Sequence, residues 1–107
     1  METTDAVEAL AAMAQATRLT ALRLLVQAGP AGLAAGDIAR RLGVPAPTLS
    51  FHLRALLHAG LVRSTRDGRS LVYAADFARL RGLVDFLSES CCQPAAAGRR
   101  AGKRAGA

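Results

Sequence analysis

Tryptophan is absent from this chain, and one tyrosine and three phenylalanines are its only aromatic residues among 107. Strands favour aromatic and β-branched side chains, whereas alanine and leucine favour helices, so the composition points to a mostly α fold rather than a strand-rich sandwich. No apolar run approaches the roughly 20 residues needed to cross a bilayer. The opening METTDAVEAL has neither a basic n-region nor an apolar h-region. These absences lead us to expect a cytoplasmic protein with no membrane partner. Cysteine is scarce as well, limited to the adjacent Cys91 and Cys92, and cytosolic thiols normally stay reduced. No Ser/His/Asp set, paired carboxylates or glycine-rich phosphate loop is visible, so the sequence does not read as an enzyme.

An apolar fraction of 51% over 107 residues suits one modest core and one domain. The net charge of +6 is unevenly spread. Positions 1–15 hold Glu2, Asp5 and Glu8 with no basic residue. Between 40 and 69, Arg40, Arg41, Arg54, Arg63, Arg66 and Arg69 face Asp67 alone. Arg99, Arg100, Lys103 and Arg104 make the tail basic. An acidic start before a basic middle is the footprint expected of a face that meets nucleic acid, although such a run also serves as plain solvated surface.

Periodicity predicts a first helix over about Asp5 to Ala16, capped by Thr4 or Asp5, with Val7, Leu10, Ala11 and Ala14 as its stripe. A second is expected from Thr17 to Ala28 with Leu19, Leu22, Leu25 and Val26 apolar, stopped at Gly29-Pro30. After a loop, PAGLAAG, a short helix over Asp37–Leu42 ends at Gly43. A longer one runs from about Pro47 to His58 with Leu49, Leu53, Leu56 and Leu57 inward. Helix, short turn and helix form a helix-turn-helix. Turned away from its leucines are Thr48, Ser50, Phe51, His52 and Arg54, groups suited to base edges and phosphates. Two β-prone runs, Leu61–Thr65 and Ser70–Ala74, join through Asp67-Gly68 as a hairpin whose tip carries Arg66 and Arg69, as the wing of a winged helix-turn-helix does.

A last helix is expected from Phe77, capped by Asp76, to about Cys91, with Phe77, Leu80, Leu83, Val84, Leu87 and Cys91 in one stripe. A domain this small can hardly bury that face alone. A homodimer built from the first and last helices would cover both stripes. The expected division is a winged helix-turn-helix and dimerisation domain over 1–92 and a disordered basic tail over 93–107.

From about Met13 to Cys92 the chain resembles the ArsR/SmtB family of bacterial metal-sensing repressors. The residues that carry the likeness are ATRLTALRLL, GDIARRLGVPAPTLSFHLRALLHAGLV and RDGRSLVYA. The resemblance implies a homodimeric repressor that leaves its operator DNA when an inducer binds, with Ser50 and His52 facing the DNA. Of the family's inducer sites, a Cys-x-Cys near the DNA-reading unit is absent from GDIARRLG, and zinc ligation from the last helix lacks a histidine beyond His58. A third variant places adjacent cysteines at the end of the last helix with another cysteine beyond them. Cys91 and Cys92 match the pair, and the third is missing.

Trivalent arsenic is soft and prefers thiolates. Arsenite exchanges three positions and methylarsenite two, so the pair satisfies the methylated form and leaves arsenite one ligand short. Arsenite, methylarsenite and antimonite all remain open as inducers. So do a thiol redox switch on the same scaffold, a dithiol enzyme, a protein-interaction domain, and cysteines that merely fill a helix end. The enzyme is disfavoured because a helix C-terminus raises a thiol pKa, whereas redox catalysis places Cys-x-x-Cys at an N-terminus.

Overall fold

The computed structural model describes residues 1–90. The elements run α1 (Thr3–Met13), α2 (Ala16–Ala28), β1 (Leu33–Ala34), α3 (Ala35–Leu42), α4 (Ala46–His58), β2 (Val62–Asp67), β3 (Ser70–Ala75) and α5 (Phe77–Leu87). The three strands form one antiparallel sheet in the order β1-β3-β2. The architecture is a winged helix-turn-helix, as the sequence predicts, with a third strand added to the hairpin.

Leu22 and Leu25 from α2, Ile38 from α3, Leu49, Leu53 and Leu56 from α4, Leu61, and Val62 and Tyr73 from the sheet build one core. Burying each large aliphatic side chain contributes about 2 kcal/mol. No polar or charged residue is buried among the described residues. No single described helix is long and apolar enough to cross a membrane, and α1 and α2 turn by 103° where they meet.

Several expectations need correction. The break between α1 and α2 falls at Ala14-Gln15 rather than after Ala16, because Gln15 is extended and its side chain accepts from the Arg18 N–H as the cap of α2. The face of α1 that enters the core is Ala6, Ala9 and Ala12, while Val7 and Leu10 point outward. Small side chains let α1 approach α2 and α4 closely, and the bulkier stripe is left outside. In α2, Leu19 and Val26 are likewise exposed, and so is Leu57 of α4. Part of PAGLAAG is not loop: Leu33 pairs with Tyr73 and Ala34 with Val72. Gly32 makes this possible with φ 71°, because a Cβ there would overlap the Tyr73 carbonyl.

The largest departure is in α5. It ends at Leu87, where the Ser88 hydroxyl donates to the Val84 carbonyl at 2.8 Å, and Ser90 is left-handed at φ 66°. The helix therefore closes before Cys91 instead of reaching it. Cys91, Cys92, the 92/93 boundary and the basic tail lie outside the described residues.

Candidate nucleic-acid interface

The turn between α3 and α4 is built locally. Gly43 is left-handed (φ 66°, ψ 34°) and its N–H returns to the carbonyls of Ala39 and Arg40. Pro45 is extended and caps α4, and Pro47 sits in the first turn, where its missing N–H would have had no helical partner. Leu49, Leu53 and Leu56 are essentially inaccessible and anchor α4 to the core. The helix must then present its opposite side outward.

That side carries Thr48, Ser50, Phe51 and Arg54, all exposed, with Phe51 at 59%. Arg54 donates to the Ser50 hydroxyl at 3.3 Å, so a hydroxyl and a guanidinium are presented together. His52 is placed differently. It is half-buried on the shoulder of the helix, and its Nδ1 accepts from Arg18 Nε at 3.1 Å.

In the wing, β2 and β3 pair from Val62↔Ala75 to Asp67↔Ser70, leaving Gly68-Arg69 as a two-residue loop. Gly68 takes the positive φ, 64°, that such a loop needs. Arg66 and Arg69 are exposed. With Ala35, Gly36 and Ser70 they line a cleft of about 350 Å³ between the wing and the start of α3. The positive end of the α3 dipole adds to the two guanidinium charges there. The described ion pairs, Arg40 with Asp37 and Arg79 with Asp5, engage neither wing arginine nor Arg54.

The structure thus gathers Thr48, Ser50, Phe51 and Arg54 on one exposed helix face, sets Arg66 and Arg69 on the adjoining wing, and holds His52 through Arg18. Arg18 is the residue that the sequence reading missed. It lies 34 positions before His52 and on another helix, and periodicity carries no signal for such a contact. Among the described residues, no group of three or more His, Cys, Asp or Glu side chains could hold a metal ion.

Residues 13–65 match a helix-turn-helix domain family. A relative from Mycobacterium tuberculosis, the HTH-type transcriptional regulator KmtR, is 36% identical over 78 residues, which are 73% of this chain and 58% of that protein's length. Among solved structures, an ArsR-like transcriptional regulator from Rhodococcus sp. RHA1 is 32% identical, with a TM-score of 0.71 over 81% of this chain and 79% of that one. The homodimeric winged helix-turn-helix DNA-binding domain of a possible ArsR-family transcriptional regulator from Mycobacterium bovis is 32% identical, with a TM-score of 0.64 over 81% of each chain. A possible transcriptional regulator for arsenical resistance is 31% identical, with a TM-score of 0.63 over 76% of this chain and 84% of that one. With this likeness running through the helix-turn-helix and the wing, the chain belongs to the ArsR/SmtB family of transcriptional regulators.

Proposed function

We propose that the protein is a non-enzymatic, homodimeric repressor that binds double-stranded operator DNA through α4 and the wing and is released by a trivalent arsenical held by Cys91 and Cys92. The observation that carries the DNA reading is the exposed face of α4, Thr48, Ser50, Phe51 and Arg54, on a helix that packs against β2, the strand that leads to exposed Arg66 and Arg69 in the wing. The helix supplies groups for base edges in a major groove, and the wing arginines supply phosphate contacts. His52 belongs to the same reading surface through its second ring nitrogen.

The dimer is supported by apolar side chains left outside at both ends of the fold. Val7 of α1 is 58% exposed, and Val84 and Leu87 of α5 are each 62% exposed. α1 and α5 touch each other, so these side chains belong to neighbouring helices. A second copy seated on them would hold two α4 helices to reach successive major grooves about 34 Å apart. The homodimeric relative from Mycobacterium bovis supports the same reading.

The inducer reading rests on the chemistry of two adjacent thiolates, a soft pair suited to arsenic. The likeness to a possible regulator of arsenical resistance supports it. The deciding experiment is retention of a duplex by the reduced protein, titrated in parallel with arsenite, methylarsenite, antimonite, zinc and cadmium. An added peroxide arm separates thiol oxidation from metalloid binding. Release by an arsenical alone supports the proposal, and release by oxidant alone replaces it with the redox switch.

A further inference from the structure

We propose that Arg18 fixes the tautomer of His52, so that α4 offers DNA a single pre-oriented Nε2–H donor aimed at an acceptor on a base edge, purine N7 or guanine O6. The inference rests on the DNA-binding reading and adds a specificity-determining residue to it.

The chemistry follows from one contact. Arg18 Nε can only donate, and it lies 3.1 Å from His52 Nδ1. Nδ1 must therefore hold a lone pair, and a neutral imidazole whose Nδ1 accepts carries its proton on Nε2. The opposite tautomer would turn an N–H toward an N–H.

Arg18 is itself held from two further sides. Its backbone N–H donates to the Gln15 side chain at 2.9 Å in the first turn of α2. Its guanidinium lies over the Phe51 ring, 5.7 Å from the centroid, within the range of a cation–π contact. The rings of Phe51 and His52 meet edge to face, with centroids 5.6 Å apart and planes at 67°. Two side chains from two helices, Arg18 of α2 and Phe51 of α4, thus hold the imidazole. His52 is only half-buried, and its Nε2 is not one of the buried side-chain nitrogens without a partner among the described residues, which leaves that nitrogen for a partner outside the protein.

The functional consequence concerns the sign of the readout. An Nε2–H donor suits guanine O6 and purine N7, whereas an Nε2 lone pair would suit the amino groups of adenine or cytosine. An unrestrained imidazole can present either. With Arg18 in place it presents only the donor.

The test has one arm without DNA. In the free, reduced, full-length protein, imidazole ¹⁵N spectra are expected to show a pyridine-like Nδ1 and a pyrrole-like Nε2 for His52, with exposed His58 as internal reference. Arg18→Met, which keeps the aliphatic stem, should return His52 to the averaged pattern of His58. A pyrrole-like Nδ1 in the wild-type protein overturns the proposal.

The second arm uses a duplex selected by the wild-type protein from a randomised pool. Arg18→Met and His52→Ala should each reduce preference for that duplex over a scrambled one by about tenfold. The double variant should lose no more than either single one. 7-Deazapurine substitution at the contacted base should reproduce the loss if N7 is the acceptor, and inosine, which keeps N7 and O6, should be tolerated. The salt dependence should keep its slope. A slope lower by about 0.9 in Arg18→Met would make Arg18 a phosphate contact instead and overturn the proposal. Should Arg18→Met unfold, the wild-type spectrum and His52→Ala still decide the question. Failure of the wild-type protein to select any duplex would sink the DNA reading itself, which the DNA-free arm tells apart from a wrong tautomer.

Discussion

Gly32 lies so close to Tyr73 that a Cβ on the glycine would overlap the Tyr73 carbonyl oxygen and stand 2.8 Å from its carbon. This contact joins β1 to β3 and with them the entry to α3 to the wing. Gly32 also has φ 71°, so a side chain is opposed both by its own backbone and by that of its neighbour. Gly32→Ala should destabilise the fold by about 2–4 kcal/mol. Gly43→Ala is the control: its backbone is left-handed (φ 66°, ψ 34°), but nothing lies within 4 Å of the added carbon, and the cost should be about 1 kcal/mol. Urea unfolding of both variants at one protein concentration checks the difference, and equal losses would mean that β1 does not hold the wing.

Exposure decides the next pair of substitutions. Val84 and Leu87 are each 62% exposed, whereas Ala9 is fully buried. Val84→Asp or Leu87→Asp should leave the helical circular dichroism unchanged and convert a sedimenting dimer to a monomer, since the charge would have to be buried only at the interface. Ala9→Asp should unfold the chain. A dimer that survives both α5 substitutions would place the subunit contact elsewhere.

The leucines of α4 were legible because Leu49, Leu53 and Leu56 are large and fall at helical spacing, and the hairpin was legible because Asp67-Gly68 interrupts two β-prone runs. The inner face of α1 was not. Apolar periodicity favours Val7 and Leu10 over alanine, but close helix packing selects Ala6, Ala9 and Ala12 by size. β1 has two residues, too few for any period, and its pairing depends on Tyr73 and Val72, some forty positions away. The end of α5 depends on a hydroxyl turning back to a carbonyl at Ser88, a choice that serine makes in some helices and not in others.

Salt separates the wing from the reading helix. Arg66→Ala and Arg69→Ala should each lower operator affinity on every sequence tested. Each should also flatten the plot of log affinity against log salt by about 0.9 if it removes one phosphate contact. Ser50→Ala should leave that slope alone and relax discrimination between operator and scrambled DNA, because a base-edge contact carries sequence information and no counterion release. Fluorescence anisotropy at several salt concentrations measures both, and an unchanged slope in the Arg66→Ala, Arg69→Ala double variant would remove the wing from the interface.

The inducer prediction concerns the cysteine pair that follows α5. Cys91→Ser and Cys92→Ser should bind operator as tightly as the wild-type protein, since neither residue belongs to α4 or the wing, and should fail to release it. Methylarsenite should release the wild-type protein at a concentration equal to or lower than arsenite, because two thiolates complete the coordination of the first and leave the second one ligand short. Zinc should release it poorly, since a zinc site takes four ligands and no histidine follows His58 in the sequence. Operator retention by each variant across the five titrations measures all of this. Release of the Cys92→Ser protein by methylarsenite would move the inducer site away from the pair, leaving the adjacent cysteines as packing.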